Sequence, residues 1–279
     1  MKRKVRTKVK GFRATDGAGV NLVRVLGSHT AREFDPILML DSFDSLNPDD
    51  YTAGFPMHPH RGIETISYVS RGKMVHRDSL GNEAGISDGE VQWMNSGSGI
   101  MHEEMVPAAE RLLGVQLWLN LPAKDKMSKP SYNSIKNEDI KEIEIEGGKI
   151  RLLAGKYGEH EGYKGDYLSM DYYDIHLNAD AEVTLTMEED DSVMVFTLLG
   201  DVYIDGEHIE EKTAVKLTEG DSLTIKNGNE KAQVLYMNSR ALNEPVAWAG
   251  PIVMNTQEEL QKAFLELRSN TFIKETAEY

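Results

Sequence analysis

Apolar and polar residues alternate with a period of two along most of the chain. Val20 to Leu26 reads as a strand, and so do Ile63 to Val69, Val91 to Met94, Val115 to Leu121 and Tyr167 to Leu177. The same pattern returns at Val183 to Met187, Val193 to Leu199, Ala214 to Leu217 and Ser222 to Ile225. Between these runs lie Asp16-Gly17, Gly81-Asn82, Asp88-Gly89, Asp205-Gly206 and Asn227-Gly228-Asn229, pairs suited to tight turns. Short strands at this spacing predict an all-β sandwich or barrel. Helical periodicity is confined to the end of the chain. There Thr256 and Glu259 form a capping-box pattern, and Leu260, Ala263, Phe264 and Leu267 fall on one stripe. A stripe of that kind predicts a helix that docks on its own protein.

A faint internal repeat divides the strands into two sets. Ile66 to Gly72 precedes a hairpin and then Asp88-Gly89-Glu90-Val91, while Val195 to Gly200 precedes a hairpin and then Glu219-Gly220-Asp221-Ser222. Two similar β units fit the length of 279 residues, with the boundary in the polar stretch Pro122 to Asn137. The expected organisation is one β unit over 1–130, a second over 131–250, and a tail with its helix over 251–279.

Composition narrows the chemistry. The chain has no cysteine, which removes disulfide frameworks, thiolate metal sites and thiol nucleophiles, so any metal must be held by His, Asp or Glu. The net charge of −15 argues against nucleic acid as a ligand. Seven basic residues between Lys2 and Arg13 run the other way, but Val5, Thr7 and Val9 alternate with lysines and arginine as in a protected edge strand. No secretory leader and no membrane-length apolar run is evident, so the expected setting is cytoplasmic, without a membrane partner.

The histidines supply the candidate chemistry. His58 and His60 are separated by Pro59, and His102 and Glu104 by Glu103. Positions i and i+2 of a strand share a face, so two neighbouring strands would present three imidazoles and one carboxylate around a point. Such a donor set suits Fe, Mn, Ni, Cu or Zn and leaves coordination positions for substrate or O₂. The competing reading makes each histidine an ordinary hydrogen-bonded residue, and Pro59 weakens a regular strand. His76 with Asp78 has the same spacing but lies in a polar, Gly- and Asn-containing hairpin, where solvent exposure is expected. The second repeat carries no comparable set and reads as a scaffold copy.

Gly54 to Thr65, containing Pro56-Met57-His58-Pro59-His60-Arg61-Gly62, resembles the first metal motif of the pirin family of bicupins. Gln92 to Met105, ending in His102-Glu103-Glu104-Met105, resembles the second, and Phe34 to Asp41 and Gly250 to Thr256 are also pirin-like. The resemblance implies two cupin-type β-barrels, the metal in the N-terminal one only, and a C-terminal tail helix that packs back on the protein. It implies His58, His60, His102 and Glu104 as ligands of one divalent transition metal, Fe²⁺ first, with Ni, Mn, Cu, Co or Zn as alternatives. Glu64, a ligand position in other cupins, becomes a candidate for orienting a ligand imidazole.

The resemblance further implies quercetin 2,3-dioxygenase activity, an oxidoreductase opening flavonols with O₂. In that reaction Glu104 would serve as general base. Phe55 and Met57, beside the first ligands, are candidates for an apolar wall against a small aromatic substrate, or equally for barrel core. The alternative is a metal- or redox-dependent regulator acting through a protein partner. Flavonol consumption under O₂ separates the two.

Overall fold

A computed structural model describes residues 1–275. The expected period-two segments form strands, and among the described residues the longest helix is the one expected at the end, Gln257–Arg268. The chain divides into two compact units. One comprises Arg13–Val23, Ile37–Lys136 and the chain from Leu242 onward; the other comprises Met1–Phe12, Arg24–Pro36 and Asn137–Ala241.

Each unit is built on one seven-stranded and one four-stranded sheet. In the first, the large sheet runs from edge to edge through Ser131–Ile135, Glu90–Asn95, Ile63–Arg71, Leu112–Asn120, Ile37–Ser45, Val20–Leu26 and Phe12–Asp16. Its small sheet has the order Phe55–His60, Ile100–Met105, Lys73–Asp78 and Glu83–Ser87. In the second unit the large sheet runs through Val5–Lys10, Thr213–Leu217, Ser192–Leu199, Ala232–Ser239, Met170–Leu177, Gly148–Ala154 and Lys141–Ile145. The small sheet there is Glu182–Thr186, Ser222–Asn227, Val202–Ile204 and Glu207–Ile209. Ile63–Arg71 and Ser192–Leu199, the two halves of the faint repeat, hold the third place in their sheets.

The division is not linear along the sequence. The basic strand Val5–Lys10 lies at the edge of the second unit's large sheet, paired with Thr213–Leu217. Its cations meet acids of that unit: Lys4 pairs with Asp205, Arg6 with Glu33, Lys8 with Glu207 and Lys10 with Glu210. Arg3 is buried and donates to the carbonyls of Asp191, Thr218 and Glu188. An edge strand with neutralised charges therefore replaces the image of a free basic arm. The stretch expected to be an inter-unit boundary is also more ordered than its composition suggests, since Ser131–Ile135 pairs with Glu90–Asn95 and closes the first unit's sheet.

The tail behaves as its sequence predicts. Thr256 caps the helix with both capping-box hydrogen bonds in place. Leu260 and Ala263 are buried, and Phe264 and Leu267 pack with them against Ala247, Ile252, Met254 and Phe272. No helix among the described residues is long and apolar enough to cross a membrane.

Candidate metal centre

Phe55–His60 runs antiparallel to Ile100–Met105, with His58 opposite His102 and Ile100 opposite His60. Phe55–His60 is the edge of its sheet, so the N–H that Pro59 lacks interrupts no continuous ladder. The inward faces bring His58, His60 and His102 together, with one ring nitrogen from each inside 4.8 Å of the others. His60 and His102 are buried and His58 is partly so.

The hydrogen bonds fix which nitrogen of each ring is free. His58 Nδ1 lies 2.8 Å from the Pro56 carbonyl, and His60 Nδ1 3.1 Å from that of Pro251. A carbonyl only accepts, so each Nδ1 carries the hydrogen and each Nε2 a lone pair. The two Nε2 atoms face one another at 3.1 Å. Two lone pairs so placed repel unless a cation lies between them. His102 Nε2 is buried with no hydrogen-bond partner. Burial, reinforced by His58, pushes the His60 pKa down to about 3. Burial first, then the neighbouring imidazoles, holds His102 well below the usual histidine range. Both are thus neutral near pH 7, the state a metal ligand needs. The triad can bind a metal, and its orphaned lone pairs fit one.

Glu104 is buried but stands outside this imidazole group. Its carboxylate accepts from Gln116 Nε2 at 2.8 and 3.0 Å and from Gln92 Nε2, with Ser67 Oγ at 3.5 Å. The two glutamines interrupt apolar strand runs, Val91-Gln92-Trp93 and Val115-Gln116-Leu117, a signal in the sequence that pairing by histidine spacing passed over.

The remaining expected residues scatter. Phe55 packs edge-on against Phe43 at 6.2 Å and joins the core, while Met57 is half exposed. Glu64 is buried, but alternation sets it on the opposite face of its strand from Ser67, which touches Glu104. Trp118, absent from the sequence reading, stands edge to face with His60 at 5.0 Å and 5.6 Å from Trp248. His76 departs furthest from expectation. It is fully buried, bonded to Asp78 and 3.3 Å from His102, because the hairpin's first strand pairs directly with Ile100–Met105. Turn composition described the tip of that hairpin and not its base.

The tail reaches the same place. Arg61 donates to Ser98 O and Phe272 O, pairs with Glu266 at 2.8 Å and lies 4.1 Å over the Phe272 ring. Gly62 has a positive φ of 79°, and a Cβ there would fall 1.9 Å from Val253 O. The motif Arg61-Gly62 is thus an anchor for the tail, directly after His60.

The sequence profile of the pirin family matches residues 19–119, and that of the pirin C-terminal cupin domain matches 172–273. A Pseudomonas aeruginosa protein whose assigned name, quercetin 2,3-dioxygenase, is itself provisional is 39% identical over 268 residues, covering 92% of this chain and 94% of its own. Human pirin is 34% identical over 277 residues, covering 96% of this chain and 93% of its own. The crystal structure of quercetin 2,3-dioxygenase from Acinetobacter baumannii superposes with a TM-score of 0.89 at 29% identity, covering 98% of this chain and 99% of that one. The fold is therefore the bicupin that the two metal motifs implied, and this chain belongs to the pirin family.

Proposed function

We propose that this protein is a metal-dependent dioxygenase that opens flavonols such as quercetin with O₂ in the cytoplasm, giving the ring-opened ester and carbon monoxide. The observation that carries the reading is the convergence of three buried or half-buried imidazoles with lone pairs turned to one point. The names of the Pseudomonas and Acinetobacter relatives support it. His58, His60 and His102 would hold the ion, Fe²⁺ first, with Glu104 as the fourth ligand once its carboxylate turns from the glutamines. The bound ion supplies Lewis acidity toward the flavonol 3-oxygen and a redox partner for O₂.

The chain's own residues do the rest. In the resting site Gln92 and Gln116 both donate to Glu104 Oε1 and keep the carboxylate oriented; once it has turned, a Glu104 oxygen would accept the 3-hydroxyl proton. Trp118, beside His60, offers the flat apolar surface that Phe55 does not. The test loads the protein in turn with Fe, Mn, Ni, Cu and Co and follows quercetin absorbance and carbon monoxide under O₂. Turnover with at least one metal is expected. Metal-loaded protein that never consumes a flavonol would overturn the reading.

A further inference from the structure

His76 and Asp78 have no place in the reaction above, yet they are among the most completely buried polar side chains of their unit, both with fully buried side chains. Asp78 Oδ2 lies 2.8 Å from His76 Nε2. The carboxylate is fixed in turn by the backbone N–H groups of Leu80 and Asn82 at 2.9 and 3.1 Å and by the Asn82 amide at 2.9 Å. Tyr132 stacks on the His76 ring at 4.1 Å and 13°. On its far side His76 Nδ1 is 3.3 Å from His102 Nδ1.

Hydrogen counting along this row leaves one consistent arrangement for a metal-binding His102. An ionised carboxylate only accepts, so His76 Nε2 carries a hydrogen and the Nδ1 of the neutral ring is an acceptor. The nitrogen facing it, His102 Nδ1, must then donate. That leaves the lone pair of His102 on Nε2, the atom with no partner, in a ring that has a nitrogen within 4.8 Å of one on each of His58 and His60.

We propose that Asp78 and His76 are positioning residues that lock His102 in its Nδ1–H tautomer and hold its ring for the metal. The row is a carboxylate–histidine–histidine relay in which each acceptor orients the next donor, a two-step version of the carboxylate–histidine support common behind metal ligands. Pro56 and Pro251 do the same for His58 and His60 through backbone carbonyls. His102, alone of the three, is oriented by ionisable side chains. This inference rests on the metal-centre reading.

The test is metal affinity, measured by chelator competition with Co²⁺ on the purified protein, together with ¹⁵N chemical shifts of His102 without metal. Wild type should show a protonated Nδ1 and an unprotonated Nε2 on His102. His76→Ala should weaken Co²⁺ binding by roughly 10- to 100-fold and let His102 mix tautomers. Asp78→Asn keeps size and can still accept from His76 Nε2, so it should retain the fold and lose about 10-fold. Variants that bind Co²⁺ as tightly as wild type with an unchanged His102 tautomer would overturn the relay while leaving the metal centre standing. Wild type that binds no Co²⁺ at all would overturn both.

Discussion

The two units repeat one strand order and fill it with opposite chemistry. In the second unit the inner positions of the small sheet are Val183, Leu185, Leu223, Ile225, Val202 and Ile204, all buried in one apolar cluster. The strands holding the same places in the first unit carry His58, His60, His102, Glu104 and His76, backed by Ser67, Gln92 and Gln116. Val9, Lys8 and their neighbours even take the edge place that Ser131–Ile135 takes in the first unit. The lesson is that this barrel holds together with either filling. An apolar core stabilises directly, whereas the polar one needs every donor and acceptor matched. In the first unit the Glu104 carboxylate is matched by Gln92 and Gln116, the buried Nε2 of His102 has no partner, and the converging imidazole nitrogens are where a cation fits.

The comparison breaks most sharply if both barrels bind metal. One divalent ion per chain is expected, and the double variant His58→Ala, His102→Ala should contain none by elemental analysis. Two ions per chain, or full retention in the double variant, would erase the difference between the units.

Next in size is the polar filling itself. Glu104→Gln should lower flavonol turnover by roughly 10²- to 10⁴-fold while some metal remains bound, as expected for loss of a general base. Equal turnover in the variant would make Glu104 a spectator held by glutamines.

The apolar filling should answer in stability alone. Leu223→Ala in the second unit is expected to cost about 2 to 5 kcal/mol, read from denaturant unfolding, with metal content unchanged. A fall in metal content at constant fold would show that the scaffold barrel shapes the site.

Removing residues 256–279 should lower the melting temperature, because Leu260 and Ala263 are buried and Arg61 loses Glu266 and Phe272. A fully buried side chain the size of Leu260 contributes about 1.5 to 3 kcal/mol. An unchanged melting temperature would detach the tail from the first unit's stability. Residues 276–279 lie outside the described chain.

The last effect concerns pH. Lys126 is buried, donates to Gly62 O at 2.8 Å and to Val253 O at 3.2 Å, and burial lowers its pKa to about 7. The unfolded chain would hold that proton to near the ordinary lysine value, so between about pH 7 and 10 the unfolded state binds more protons. Stability should therefore rise with pH across that window, and Lys126→Met should flatten the rise. A wild-type curve without that slope would place the ammonium in a better-solvated setting.

The pattern of alternation was enough to find the strands Val20–Leu26 and Ser192–Leu199 nearly to the residue, and the capping box to find the helix. It was poorer where both faces are buried, as in Ile37–Ser45, because a continuous apolar run carries no period. His58 and His60 were legible as a pair because residues two apart on a strand share a face and leave a local signature. His76 was misread as exposed for the complementary reason: its local neighbours are those of a hairpin, and only pairing across to His102 buries it.

What the sequence determined by itself is what depends on near neighbours along the chain: strand period, turn chemistry, the helix cap, and the spacing of His58 and His60 two apart on one strand. What the tertiary structure decided is what depends on approach between distant strands. It chose the tautomers of three imidazoles through Pro56, Pro251 and His76, turned Glu104 onto Gln92 and Gln116, and moved the first strand into the second unit. Hydrogen bonds act over about 3 Å, and no sequence spacing states which side chains come that close.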